Sequence, residues 1–373
     1  GAGAVVVLAG GSGTRLGVSY PKGMLACPDL AVKKPLFQLQ CEKLRRAQEL
    51  AAAAPGGAGP KIPLVYMTSP GNDAQIRGFF AEHAYFGLDE AQVLFCSQST
   101  MPCFTEDGRI VLSDAGAIAE APGGNAGIYG ALDTSGVLDE LTKRSVEYCQ
   151  VVNVDNMLVR IADPVFFGLA ARSNGKLDVA VKTVPKAHDH EAVGVFARRS
   201  YPAGATAVDA SLSAGTSLWG VVEYTEIGAD LAAAKDEATG ERRFNCGNVG
   251  LHLFSTRFLR RAANAMRAFS YYHIARKPIP TALAGKFGGV ASEANVRGVK
   301  LEAFIFDLFL LVDPTPASGA FALVQVDRAE EFAPIKNADD PVATAAGGEI
   351  KRDSPAAAVR DLHASHAGWL RAA

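Results

Sequence analysis

The chain has 373 residues, 49% of them hydrophobic and 20% charged, enough apolar material for one large α/β domain or two domains of average size. Lysine plus arginine number 37 against 39 aspartate plus glutamate, a net charge of -2 that leaves no basic footprint for a nucleic acid or a membrane surface. No stretch reaches the ~18 uninterrupted apolar residues of a membrane helix, so the sequence reads as a soluble protein in which any anionic ligand is held by a local cluster.

The amino terminus, GAGAVVVLAGG, has no basic segment before its apolar run and no small-residue cleavage site after it, so it reads as a first strand and not a signal peptide. Strands are predicted at Ala4–Ala9, Leu64–Thr68, Gln92–Cys96, Cys149–Val154, Leu177–Val184, Trp219–Tyr224 and Val249–Phe254. Between them Leu36, Leu39, Leu44, Ala47 and Leu50 recur at helical spacing, as do Ile76, Phe79, Phe80 and Ala84. Asp163 and Pro164 form an N-cap and first helical position. Ala51–Pro63 and Ala203–Ala214 read as surface loops from their proline, glycine and small-residue content. Asp313–Gly319 marks a boundary, followed by the strand-like FALVQV and a terminal helix near Ser354–Leu370. The alternation predicts an α/β fold with a Rossmann-like mixed, mostly parallel sheet flanked by helices. Residues 1–315 form the main domain and 316–373 a small C-terminal lobe.

Six cysteines, at 27, 41, 96, 103, 149 and 246, include no C-x-x-C pair and are too sparse for a disulfide scaffold, which fits reduced thiols and a cytoplasmic setting. The seven histidines show no metal-ligand spacing. His188 and His190 fall in a predicted loop, and His252, alternating with apolar residues, reads as a hydrogen-bonded structural histidine.

The first strand runs into Gly10, Gly11, Ser12, Gly13, Thr14 and Arg15, and then Tyr20-Pro21-Lys22-Gly23. Glycines at such a turn let backbone amides approach a ligand and cradle phosphate oxygens, while Arg15 and Lys22 add fixed positive charge. The spacing is neither a Walker motif nor a dinucleotide fingerprint. Residues alone therefore give a phosphate or nucleotide loop at the end of the first strand. A second carboxyl-edge feature is Asp155-Asn156 after Val151, Val152 and Val154, although a lone strand-end aspartate also serves as a helix cap.

LAGGSGTRLG followed by YPKG resembles the signature of the nucleotide-sugar pyrophosphorylases, in the form of the eukaryotic UDP-N-acetylhexosamine pyrophosphorylases. The resemblance extends through Gln98, Met101-Pro102, Gly123-Gly124-Asn125, VDNMLVRIADP (154–164), Val222-Glu223-Tyr224, FNCGNVGLH (244–252), KLEAFIFD (300–307) and FAPIKNAD (332–339). It implies a nucleotidyltransferase (GT-A-like) fold and uridylyl transfer from UTP to an N-acetylhexosamine 1-phosphate, N-acetylglucosamine foremost, with release of pyrophosphate. It also implies Mg²⁺ held by Asp155, an ion that suits one or two protein carboxylates plus phosphate oxygens.

By the same resemblance Gly10, Gly11 and Gly13 cradle the phosphates with Arg15 and Lys22, Gln98 bonds the uracil edge, and Gly124 packs on it. Asn125, Gly194, Glu223 and Asn248 face the sugar, Asn156 joins the substrate-binding residues, and Phe304 with Phe306 walls the acetamido group. Lys300 takes the sugar phosphate, and Lys336 reaches the phosphates from the C-terminal lobe. Read without the resemblance, both lysines are solvated charges and both phenylalanines are core. The partners implied are small molecules, with no nucleic acid and no membrane. UDP-glucose or broad UDP-sugar pyrophosphorylases share the fold and phosphate loop but usually open differently. A silent nucleotide-sugar-binding protein would lack Arg15, Lys22 or Asp155, and all three are present.

Overall fold

The structure, a computed structural model, describes residues 3–11, 13–27, 30, 32–57, 59, 61–114, 117–200, 217–268, 272–280, 295–340 and 350–372. The opening apolar run becomes β1 (Gly3–Leu8), covered on both faces as a central parallel strand is. After it come α1 (Leu36–Ala53), β2 (Leu64–Thr68), α2 (Asp73–Glu82) and β3 (Val93–Ser97). Five short strands follow: β4 (Thr100–Pro102), β5 (Phe104–Thr105), β6 (Leu112–Asp114), β7 (Ala117–Ile118) and β8 (Glu120–Pro122). Next are α3 (Gly127–Thr134), α4 (Val137–Lys143), β9 (Tyr148–Asn153), α5 (Pro164–Arg172) and β10 (Val179–Pro185). The chain continues through β11 (Val195–Ser200), β12 (Ser217–Val222), α6 (Ala229–Ala233), β13 (Cys246–Ser255) and α7 (Thr256–Met266). It closes with β14 (His273–Pro280), β15 (Asn295–Glu302), β16 (Phe321–Gln325), α8 (Arg328–Glu331) and α9 (Pro355–Ala372).

Among the described residues, nine strands make one mixed sheet with a parallel core, β3-β2-β1-β9. β13 runs antiparallel to both β9 and β10, β16 joins β10 in parallel, and the β11–β12 pair attaches at the start of β13. Successive residues of β1 face opposite layers, as strand geometry dictates. Ala4, Val6 and Leu8 pack with Tyr129, Leu138 and Phe258 of α3, α4 and α7, and Val5 and Val7 with Phe37, Leu44 and Phe80 of α1 and α2. This is the predicted architecture of a sheet between two helical layers. Asp163 caps α5 as expected, accepting from Val165 N–H at 2.9 Å with Pro164 at the first position.

Several features differ from the sequence reading: β4 to β8 and β11 were not predicted, and β12 begins at Ser217 where Trp219 was expected. β13 starts at Cys246, three residues before the predicted Val249. The eight-residue strands β14 and β15 were not predicted, because Pro278 and Pro280 punctuate HIARKPIP; β14 lies at the edge of a three-stranded sheet, where proline is tolerated. In the 316–373 segment, β16 adds to the main sheet, and α9 packs Ala358, Val359 and Leu362 against Leu16, Leu25, Met157 and Ile335. The Ala203–Ala214 loop lies outside the described residues. None of the six cysteines forms a disulfide, and no helix among the described residues is long and apolar enough to cross a membrane.

Candidate active site

β1 and β9 are adjacent parallel strands, so Leu8 ends opposite Asn153 and both loops leave from one sheet edge. The first loop carries Gly10, Gly11 and Gly13, and the second carries Asp155. They meet where Lys22 Nζ donates to Asp155 Oδ2 at 2.8 Å, each side chain only 17% exposed. Leu16 N–H donates to Gly13 O at 2.8 Å, closing a short turn that leaves Arg15 exposed and without an ion pair among the described residues. At Gly10 a Cβ would stand 2.3 Å from Gln98 Nε2, so only glycine lets that amide lie against the loop.

Behind this edge, the segment after β16 is stitched to the strand end. Ile335 N–H donates to Asp155 O (2.9 Å) and Met157 N–H to Ala333 O (3.0 Å). The Asn156 amide donates to Glu331 O (2.7 Å) and accepts from Ala333 N–H (2.9 Å) and Leu158 N–H (3.2 Å). Asn156, expected among the substrate-binding residues, is buried with its amide bound to backbone, where it holds two segments together. Glu331 is anchored in turn by the buried ammonium of Lys182 at 2.6 Å, which also pairs with Asp163. Lys43 donates to the carbonyls of Met157 (2.6 Å) and Val159 (3.0 Å), and burial pulls its ammonium down to about 8. Lys336 follows directly: 43% exposed, it lies 3.9 Å from Asp353 and over the Phe332 ring at 5.6 Å. It therefore sits on the same stitched segment as Ile335.

A cleft of about 650 Å³ opens along this edge and gathers Gly10, Gly11, Gln98, Gly124, Asn125, Lys300 and Phe304. A larger groove of about 810 Å³ between α8 and α9 contains none of them. Gln98 is buried, and its Oε1 finds no hydrogen-bond partner among the described residues. Leaving an acceptor so costs about 1–3 kcal/mol, which a ligand N–H entering the cleft would recover. Gly124 has φ of +92° and packs where a Cβ would meet Ala303 O at 2.2 Å. Ala303 N–H donates to Gly123 O (2.8 Å) and Ile305 N–H to Asn125 Oδ1 (2.8 Å), so the glycine loop and the KLEAFIFD string form one wall.

Further along, Asn248 N–H donates to Gly194 O at 2.8 Å, and a Cβ on Gly194 would stand 2.7 Å from Glu223 Oε1. The three sequence-predicted residues are therefore contiguous. Burial, and then the neighbouring charge of Glu226, hold the Glu223 carboxyl above its ordinary range, with Lys336 close enough to oppose the shift. Phe304 faces the cleft, while Phe306 is buried in the core behind it, ring centroids 5.2 Å apart. The expected wall is thus one ring deep at the surface. Sequence reasoning missed His273, which packs against Phe304 in a tilted contact at 4.5 Å and bonds Glu226 (2.7 Å) and Asp307 (3.0 Å). Partners 47 and 34 residues away leave no local signal. His252 also departs from expectation: it is buried with neither ring nitrogen bonded among the described residues, and desolvation pulls its pKa to about 3.

Among the described residues no cluster of three or more His, Cys, Asp or Glu is arranged for a metal ion. A single strand-end carboxylate excludes a zinc cage but fits Mg²⁺, which takes most of its ligands from water and phosphate.

The sequence profile described as UTP–glucose-1-phosphate uridylyltransferase matches residues 3–346. The chain belongs to this family. Within the uridylyltransferase family, the chain is 39% identical over 341 residues to UDP-N-acetylglucosamine diphosphorylase 2 of Arabidopsis thaliana, covering 90% of this chain and 61% of that protein. It is 36% identical over 339 residues to UDP-N-acetylglucosamine pyrophosphorylase of Saccharomyces cerevisiae, covering 90% and 64%. The solved uridine diphosphate N-acetylglucosamine pyrophosphorylase from Trypanosoma brucei superposes with a TM-score of 0.83 at 42% identity, over 99% of this chain and 66% of that one. A UDP-glucose pyrophosphorylase from Leishmania major, at 21% identity and a TM-score of 0.63 over 90% of this chain and 63% of that one, shares the fold. The chain thus spans 61% and 64% of the length of the two curated relatives.

Proposed function

We propose that this chain transfers the uridylyl group of UTP to N-acetylglucosamine 1-phosphate, or another N-acetylhexosamine 1-phosphate, and releases pyrophosphate. The observation that carries the reading is the Lys22–Asp155 pair beside Gly10 and Gly11 at the carboxyl edge of β1 and β9. The relatives at 36–42% identity are named for UDP-N-acetylglucosamine, whereas the UDP-glucose enzyme stands at 21%.

The sugar phosphate is already anionic, so its oxygen attacks the α-phosphorus of UTP directly as the bond to pyrophosphate breaks, without a general base. The work of the protein is positioning and charge neutralisation. Gln98 Oε1 would accept from the uracil N–H, which satisfies its orphaned oxygen. Gly10 and Gly11 would present backbone to the phosphates, Arg15 and Lys22 would supply positive charge, Lys300 lines the cleft, and Lys336 would reach the phosphates from the segment joined to Asp155. Asp155, with Oδ1 not engaged by Lys22, would hold a Mg²⁺ that offsets the charge of the phosphates when bound. Glu223, Asn248 and Gly194 suit sugar hydroxyls and Phe304 a methyl-bearing amide. A cytoplasmic setting fits the reduced, mostly buried thiols.

The test is pyrophosphate release from UTP with a panel of sugar 1-phosphates. N-Acetylglucosamine 1-phosphate should exceed glucose 1-phosphate in kcat/KM by at least ~10-fold, the scale of one filled apolar recess; equal values contradict the assignment.

A further inference from the structure

We propose that His273 is a positioning residue for the sugar pocket: clamped between Glu226 and Asp307 and packed against Phe304, it fixes the turn carrying Glu223 relative to the wall carrying Phe304. The inference rests on the function proposed above and assigns that pocket a residue that does not itself touch the substrate.

Three parts of the chain converge on this ring. Its Nδ1 lies 2.7 Å from Glu226 Oε1, on the turn after β12, where Glu226 N–H and Ile227 N–H both donate to Glu223 O. Its Nε2 lies 3.0 Å from Asp307 Oδ1, and the other Asp307 oxygen accepts from Phe304 N–H at 2.6 Å. The ring also packs against Phe304, centroids 4.5 Å apart and planes inclined at 38°. A ring bonded at both nitrogens to carboxylates donates from both, which only the imidazolium does. The His273 side chain is 10% exposed and Asp307 5%, so the bond between them is shielded from solvent, while Glu226, 32% exposed, closes the clamp from the solvent side.

The charges around the ring come from every element packed on it. Glu226 and Glu223 lie on the turn, Asp307 on the segment after β15, Glu302 opposite on β15, and Lys336 within reach of Glu223. Glu302 is occupied by Lys277 at 3.3 Å. Burial lowers the His273 pKa, but the hydrogen bond and charge of Asp307, and then those of Glu226, outweigh it and hold the ring above the ordinary histidine value. The clamp is therefore complete below about pH 6.5 and is lost as pH rises through the higher folded value. Losing the proton removes one donor and leaves one carboxylate facing a lone pair.

The experiment measures KM for N-acetylglucosamine 1-phosphate, KM for UTP and kcat from pH 6 to 9 in wild type, His273→Gln and Glu226→Gln. NMR titration of the His273 ring runs in parallel. Wild type should show a rise in sugar-phosphate KM at the pH where the ring titrates, above 6.5. His273→Gln should raise that KM about tenfold, the scale of one charge-assisted hydrogen bond, with smaller changes in UTP KM and kcat and no such pH step. Glu226→Gln should keep the contact and move the step and the NMR titration to lower pH together. An active wild type with an unshifted His273→Gln, or a ring that titrates at or below 6.5, overturns the clamp alone. A wild type inactive with every sugar 1-phosphate overturns the functional reading, and the clamp with it.

Discussion

At the nucleotide end of the proposed cleft, backbone does the holding: Asp155 and Lys336 ride on segments joined by main-chain bonds through Ile335 and Ala333, with Asn156 as the rivet. At the sugar end a main-chain bond still ties Asn248 to Gly194, but the turn and the wall are joined by side chains, with His273 bridging Glu226 and Asp307 beside Phe304. The contrast fits the tasks. Phosphate positions tolerate little displacement because in-line attack requires alignment, whereas a pocket that chooses between sugars needs only its wall and polar contacts.

The largest effect expected from breaking this comparison lies at the anchor of the nucleotide end. Lys182→Met leaves Asp163 and Glu331 buried without their counter-ion and should cost about 3–5 kcal/mol in denaturant unfolding; a change below 1 kcal/mol contradicts the anchoring role.

Next is the layer beneath the sugar end, where His252 lies against Phe254 and Phe309. Its folded pKa near 3 lies below the unfolded value of about 6.5, so the unfolded chain binds more protons as pH falls and stability declines from about 6.5 downward. Between pH 6.5 and 5 this contributes about 2 kcal/mol. Urea midpoints for His252→Phe should show a correspondingly weaker acid dependence than wild type, and parallel profiles would show that the ring is not the cause.

Gln98→Met sharpens the contrast from the other side. It removes a buried acceptor without a partner among the described residues, so thermal stability should hold or rise, while KM for UTP increases about tenfold. KM for the sugar phosphate should move less; a variant with wild-type UTP kinetics removes Gln98 from the base site. The smallest effect is expected at the sugar wall, where Phe304→Ser should narrow the preference for N-acetylglucosamine over glucose 1-phosphate by about 3- to 10-fold. The core ring of Phe306 behind it limits the loss. An unchanged ratio from the same pyrophosphate assay places the acetamido group elsewhere.

The same division governed what was legible beforehand. β1, the glycine turn and Asp155 lie in contiguous strings whose patterning is local, so strand, loop and strand-end carboxylate could each be read from a few residues. The grouping of Gly194, Glu223 and Asn248 came from family resemblance and not from spacing, since a bulged antiparallel β13 brings them together. β14 was hidden by edge prolines, and His273 by partners supplied from distant elements. The backbone bonds of the Asn156 amide were not legible, because strand-end position predicts proximity to a cleft but not which way an amide is used. The bare nitrogens of His252 escaped notice because alternation predicts burial, not the partner.

The central claim is that Asp155, paired with Lys22 at the edge of β1 and β9, is where the phosphates and their metal are managed. The most direct measurement is steady-state pyrophosphate release against Mg²⁺ concentration for wild type and Asp155→Asn, with melting temperatures recorded alongside. The asparagine keeps the shape and removes the charge, so it should fold like wild type and lose at least ~100-fold in kcat, as for one electrostatic stabiliser of a transition state, with partial recovery at high Mg²⁺. Superimposable curves for the two proteins would contradict the account, leaving Asp155 an ordinary loop carboxylate bound to a lysine.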